Sequence, residues 1–414
     1  MGTNKMSFIN EIYNDWRCLS RQKKWLFFLY TYLLVYYCRN FFYAIETRIG
    51  LSSYTDYSNA FFVILFLLGS FSVFIKKIRI TNILFLLFVV LLYYLSINFN
   101  SNTSFLALDN FQNFIWLCLP MFLVGLTIDN KTPISLFVAM SYFALFLQIL
   151  YLTVLGMGVD AEGNEINESM AESYAFLPFS CLLVYNAFKR GGLFHWTIAI
   201  LSVFILLSLG TRGPVLCLAF FVSTYLIVFK HYKYKVFSIV LIGTITSIFY
   251  LYSREIVLGL GAISDYLGLS TRVFDSIVED KMTNINESSY RDELWRNILE
   301  VLFDKKIFFD LNLFSDRLYN RINIDWYAHN LELELLCDFG LIGGGIVIIL
   351  LFGFIFRAFK NVWNSELAVL LLVYFTSSIM HLQFSSSYLM IPIFWFFLGV
   401  CSSLISDNKQ KVKL

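Results

Sequence analysis

Twelve mostly apolar stretches run through this chain, near 25–45, 59–75, 80–97, 111–128, 134–155, 174–188, 193–210, 214–229, 236–252, 335–356, 365–381 and 388–405. A helix needs about 20 such residues to cross roughly 30 Å of hydrocarbon. Composition agrees: the 414 residues are 58% hydrophobic and only 14% charged, whereas soluble domains carry about 45–50% apolar and about 25% charged residues. That much apolar surface cannot be hidden in a water-facing fold. The chain reads as an all-α polytopic membrane protein of about twelve transmembrane helices, and a mean hydropathy of +0.68 leaves room for one substantial segment outside the bilayer. Pro178 and Pro392 fall inside spans, where a kink is tolerated if neighbours satisfy the freed carbonyl.

Lysine and arginine set the orientation. One set of loops carries Lys5, Arg17, Arg21, Lys23, Lys24, then Lys76, Lys77, Arg79, then Lys131, Lys189 and Arg190. The same alternation continues through Lys230, Lys233, Lys235, Arg357 and Lys360 to Lys409, Lys411 and Lys413. The opposite loops at 98–110 and 156–173 hold no cation. By the positive-inside rule both termini are cytoplasmic. The layout is then a cytoplasmic N-terminus at 1–24, helices 1–9 over 25–252, a large outer loop at 253–334, helices 10–12 over 335–405, and a cytoplasmic C-terminus at 406–414. On this topology the near-neutral total of +2 conceals two charged faces, basic inside and acidic outside. Residues 1–24 are polar and basic, so no cleavable signal peptide is expected.

Within the outer loop, Tyr290 to Phe303 places Leu294, Ile298, Leu299 and Leu302 at helical spacing, which predicts a helix against the membrane surface or capping the bundle. Seven cysteines are present, none of them in that loop. No disulfide framework is expected outside, and no clustered Cys and His suggests a structural zinc.

Ionisable residues near the membrane are costly and need a reason. Arg212 stands in the four-residue turn Thr211-Arg212-Gly213-Pro214, against the charge bias. It is either a snorkelling side chain reaching lipid phosphates or an anion clamp before a helix N-terminus, suited to a pyrophosphate. Arg291 lies one helical turn before Trp295 and Arg296, as an exposed cation paired with Asp292 or Glu293 or as a second anion ligand. His329 and Asn330 open the re-entry of the loop into the membrane, after Trp326 and Tyr327. On a continuous helix Glu332 shares a face with His329 at i+3, and Glu334 lies further round. A rim histidine titrates near neutral pH and acts as a general base if a carboxylate orients it; otherwise it is an interfacial histidine with no chemical role.

The order of these features resembles the O-antigen polymerase and O-antigen ligase superfamily, Wzy/WaaL-like polytopic glycosyltransferases of GT-C-like architecture. The shared pattern is Arg212 before Gly213, Arg291 four residues before Trp295, and His329-Asn330 followed by Leu333, Glu334, Asp338 and Gly340. The resemblance implies a donor of undecaprenyl-diphosphate-linked oligosaccharide on the outer face of the bacterial inner membrane. It further implies Arg212 and Arg291 on the donor diphosphate, His329 as base, and Glu334 (by family position) or Glu332 (by helical geometry) as its orienter. Asn330, Trp295 and Arg296 are supporting residues. A chain-length regulator and a flippase are the partners it suggests, besides the lipid bilayer. No cofactor, no metal and no nucleic-acid partner is expected, and no D-x-D triplet of a metal-dependent transferase occurs.

Three other readings compete. A ligase would transfer the finished chain to lipid A core, for which more cationic charge is expected outside than the nine Lys or Arg against thirteen Asp or Glu between Arg254 and Asp325. A flippase or other carrier predicts mid-depth charges and two related halves, neither of which is evident. A structural subunit of an envelope machine predicts no consequence of removing His329 beyond assembly.

Overall fold

The structure is a computed structural model that describes Ile64 and residues 78–130, 132–150, 169–208, 212–229, 290–319 and 327–411. The expected spans at 25–45, 59–75 (Ile64 apart) and 236–252 lie outside those residues, as does the loop over 253–289 and 320–326. Among the described residues the chain is helical, without a strand: α1 (Ile80–Phe99), α2 (Ser104–Asn113), α3 (Leu119–Gly125), α4 (Ile134–Leu150), α5 (Ser169–Arg190), α6 (Leu193–Ser208), α7 (Arg212–Thr224), α8 (Tyr290–Asp304), α9 (Ser315–Tyr319), α10 (Leu331–Val362), α11 (Glu366–Phe375) and α12 (Pro392–Lys411). A π-helical turn at Phe114–Cys118 joins α2 and α3 into one rod, and α9 is little more than a single turn. Among the described residues three helices are long and apolar enough to cross a membrane: Ile80–Phe99, Ser104–Gly125 and Leu331–Val362. Shorter apolar helices lie at Ile134–Leu150, Leu193–Leu207, Gly213–Phe229, Glu366–Met380 and Pro392–Ser406.

The chain divides into two units, one of 1–62 with 133–285 and the other of 63–132 with 286–414. In the first, α5 packs against α4, α6 and α7, and its residues from Glu172 to Ala187 are almost all buried. Pro178 lies inside α5. The link from α5 to α6 is Gly191-Gly192, with φ of +63° and +81°, a left-handed turn that glycine adopts without a Cβ penalty.

In the second unit the packing is set by α3 and α12. Gly125 and Gly399 face one another, and a Cβ on either would overlap the partner helix's backbone. Small residues of this kind let helices approach closely where no hydrophobic effect drives them together. Phe85, Phe114 and Phe394 pack around Trp395 beside this contact. Pro392 is not within a span: it is the first residue of α12, where its missing N–H costs nothing because that donor has no intrahelical partner. At one end of the unit Arg79 donates to the Ser406 carbonyl (3.0 Å) and Asn361 to the Leu404 carbonyl (3.3 Å). At the other, Thr103 donates to Asn312 (2.9 Å) and the Leu313 amide to Ser96 (3.0 Å).

The expected span at 335–356 takes a different form. Its helix is broken at Gly340, with φ +77° and ψ 170°. The half from Leu331 to Phe339 is largely buried, while the half after Gly340 leaves Ile349 73% and Phe356 71% exposed, as suits a lipid-facing wall. A Cβ on Gly344 would lie 2.5 Å from the Leu335 carbonyl oxygen. In a straight helix those residues stand about 13 Å apart along the axis, so the two halves fold sharply against each other. The break frees carbonyls and amides that must find partners, and the extended segment Ile307–Asn312 supplies them. Asp310 and Asn312 donate to the carbonyls of Phe339 and Asp338 (3.0 Å each), while the amides of Leu341 and Ile342 donate to those of Ile307 and Phe308 (2.9 Å each).

The helix expected over Tyr290 to Phe303 is present as α8 and packs on the first half of α10. Leu294, Ile298 and Leu302 are buried against Ala328, Leu333 and Cys337. Leu299, expected on that face, points outward, and Val301 is buried instead.

Replacing Gly340 with alanine should lower stability by about 2–5 kcal/mol. A left-handed φ costs a Cβ-bearing residue about 1–2 kcal/mol, and the new Cβ would sit 2.6 Å from Phe308 and Phe309 backbone atoms, an overpacking worth about 1–3 kcal/mol. Gly345→Ala meets nothing within 4 Å and should be neutral or stabilising. Equal melting temperatures for the two variants in detergent would contradict this account of the break.

Candidate functional site

His329 stands immediately before α10, not on it. Its φ is +51°, and the helix N-cap is the next residue, Asn330, whose side-chain oxygen accepts from the Leu333 amide (2.9 Å), an N-cap bond. The face that His329 was expected to share with Glu332 therefore does not exist. Glu332 accepts instead from Gln383 Nε2 (2.8 Å), and Gln383 Oε1 accepts from Asn330 Nδ2 (3.0 Å). Glu334 is buried; it accepts a short hydrogen bond from Ser387 Oγ and a longer one from the Tyr388 amide (3.4 Å). Neither carboxylate orients His329 by a hydrogen bond. The Glu332 expectation assumed a helix running through residue 329, whereas Glu334, expected from family position, is held by Ser387 and Tyr388.

The imidazole is held otherwise. Its ring packs on that of Tyr327, 4.1 Å between centroids, and its Nδ1 is buried with no hydrogen-bond partner. Burial and then the positive charge of Arg291 depress its pKa from the usual 6.5 to about 4, because both disfavour the imidazolium. His329 is consequently neutral at physiological pH.

Arg291, half-buried in the first turn of α8, is thus brought into the electrostatic neighbourhood of His329. Trp295, one turn later, donates its indole N–H to the Ala328 carbonyl (2.7 Å). Arg296 is exposed and lines an open groove on α8 with Trp295, Leu299, Glu300, Phe303 and Asp304. Arg212 is the first residue of α7 in the other unit; its side chain lies outside what the structure describes, as does Trp326.

Asp316 and Arg317, close to the site, carry no signal in the sequence. Asp316, on α9 and 1% exposed, accepts from the Ala328 amide through Oδ2 (2.8 Å), while its Oδ1 is unpartnered. Burial raises its pKa above the ordinary carboxylate value. Next to it, the buried guanidinium of Arg317 lies between the rings of Phe314 and Tyr327, 5.1 and 5.8 Å from their centroids, a cation–π arrangement. Asp338 accepts from Tyr388 Oη (2.8 Å) and more distantly from Ser315 Oγ and N (3.5 and 3.4 Å). Ser387 and Tyr388, at the boundary before the apolar stretch expected at 388–405, return to the acids of α10. Among the described residues no group of three or more His, Cys, Asp or Glu is arranged to hold a metal ion.

No family model, curated protein or solved structure matches the chain. Among the described residues the fold is all-helical, with three helices long and apolar enough to cross a membrane.

The low pKa of His329 has a thermodynamic consequence. Between about 6.5 and about 4 the unfolded chain binds a proton at this position that the folded chain does not, so stability falls as pH drops through that window. The His329 contribution is intact above the unfolded value and lost progressively below it. Detergent-solubilised His329→Gln should show a flatter melting-temperature profile from pH 7 to pH 4 than wild type; parallel profiles would refute the assignment.

Proposed function

We propose that the chain is a glycosyltransferase that polymerises O-antigen or a related surface polysaccharide, joining polyprenyl-diphosphate-linked repeat units at the outer face of the bacterial inner membrane. The observation that carries the reading is a neutral histidine with an unpartnered ring nitrogen beside an arginine, at the mouth of a broken helix. A sugar hydroxyl is too weak an acid to attack unaided, and a neutral imidazole within reach removes its proton as the oxygen approaches the anomeric carbon. The new C–O bond forms as the anomeric carbon's bond to the diphosphate oxygen breaks. That electron pair leaves with polyprenyl diphosphate, and inversion at carbon follows from a single displacement. Negative charge grows on the leaving group, where a guanidinium stabilises it by charge-assisted bonds. Arg291 is assigned that role; Arg212 joins it on the strength of the sequence resemblance alone. Glu332 and Glu334 are reassigned from orienting the base to fixing the start of α10, through Gln383 and Ser387.

The full topology, twelve spans with both termini cytoplasmic and residues 253–334 outside, belongs to the same proposal. It draws support from the distribution of charge in the second unit. Arg79 and the end of α10 with Arg357 and Lys360 lie toward the end marked by Ser406, away from the end marked by Asn312. The positive-inside rule makes the former cytoplasmic.

His329→Ala should reduce transfer from a polyprenyl-diphosphate-linked repeat by about 100- to 10,000-fold, the usual weight of a general base. In cells, a surface-polysaccharide gel should show a single repeat on lipid A core. No repeat on the core, with long chains retained on the polyprenyl carrier, would identify a ligase instead. Normal banding from His329→Ala and Arg212→Ala strains at wild-type protein levels would overturn the mechanism.

A further inference from the structure

We infer that Asp316 and Trp295 form a clamp on the Ala328 peptide that presents His329 to substrate, making both of them positioning residues. The inference rests on the reading of His329 as the base. Its geometry is independent of that reading. Ala328 has both backbone groups tied to side chains from separate elements: its N–H donates to Asp316 Oδ2 of α9 (2.8 Å), and its C=O accepts from Trp295 Nε1 of α8 (2.7 Å). Ala328 is itself 1% exposed, so water does not replace either bond.

The next residue is where such a hold is needed. His329 adopts φ +51°, a left-handed conformation that a Cβ-bearing residue enters at a cost and keeps only when its surroundings over-determine it. On its C-terminal side the chain is fixed by the Asn330 cap and by the Asn330–Gln383–Glu332 chain of hydrogen bonds. On its N-terminal side the clamp holds the Ala328 peptide by both of its polar groups, and the imidazole Nδ1 has no hydrogen-bond partner. The ring is thus aimed through its backbone, whereas catalytic histidines are commonly aimed by a carboxylate on the ring.

Asp316 acts here as an acceptor and not as a charge. It sits among Glu334, Asp338 and Arg317, and burial already favours its neutral form. The charged groups around the imidazole are Arg291 on α8 and, across the Tyr327 ring, Arg317 on α9. An amide in place of the Asp316 carboxyl keeps an oxygen for the Ala328 N–H.

The test uses the full-length protein in detergent and reads His329 directly. Diethyl pyrocarbonate modifies only neutral imidazole, so the pH dependence of His329 carbethoxylation, followed by peptide mass spectrometry, reports its environment whether or not the protein is active. Wild type and Asp316→Asn should share a midpoint near 4, the value set by burial and Arg291, while Asp316→Ala and Trp295→Phe should move toward 6.5. Transfer by Asp316→Ala and Trp295→Phe should fall on the order of 100-fold in kcat with little change in KM, as for a misaimed catalytic group, and Asp316→Asn should restore it. Unchanged midpoints in Asp316→Ala and Trp295→Phe, or an Asp316→Asn protein as altered as the alanine variant, would overturn the clamp. Full transfer by His329→Ala would overturn the catalytic reading and leave the carbethoxylation result to decide the clamp.

Discussion

The pairing of Ile307–Asn312 with the broken helix at Gly340 is the constraint from which the site is built. A helix broken at membrane depth exposes peptide groups that neither lipid nor apolar side chains satisfy, each at a cost of several kcal/mol. Here one extended segment answers both the carbonyls of the first half and the amides of the second. That fixes the chain between α8 and α9 against α10. Ser315 and Asp316 follow within four residues of Asn312, so the same pairing delivers them to Asp338 and to the Ala328 peptide.

Within this frame the polar groups fall into two kinds. Glu334 and Asp338 are enclosed and supplied with donors from the Ser387–Tyr388 turn, which is the condition for keeping a carboxyl group in a protein interior. They tie the turn between α11 and α12 to the start of α10. His329 is treated in the opposite way: it packs on an aromatic ring, lies beside a cation and keeps an unpartnered nitrogen. The former arrangement confers rigidity, whereas the latter leaves a neutral imidazole with one ring nitrogen unbonded.

The helices were legible because long apolar runs have few alternatives. Ile80–Phe99, Leu193–Ser208 and Glu366–Met380 fall within a few residues of the expected stretches. Most of the α8 face was legible too, since Leu294, Ile298 and Leu302 follow the helical period; Leu299 did not, because a face wide enough to hold 298 and 299 together was not needed. The break at Gly340 was not legible, because hydropathy sums side chains and a single φ does not alter the sum. The misreading of Glu332 came from the same source: whether residue 329 is inside the helix depends on the Asn330 cap. Gln383, Ser387 and Tyr388 stand some fifty residues from their partners, beyond any local pattern. His329 and Arg291 were singled out as residues needing an explanation, but what surrounds them is tertiary.

The 32 residues of Leu331–Val362 would make a straight helix about 48 Å long, far beyond the roughly 30 Å of a bilayer core. Tilting relieves mismatch of a few ångströms but would draw Glu334 and Asp338 into the hydrocarbon. Folding at Gly340 relieves it differently. About 33 Å of apolar helix remains after the bend, matched to the membrane without strain. The acid-bearing piece is turned aside into protein, so the length of helix left to span is set by one glycine and not by hydropathy.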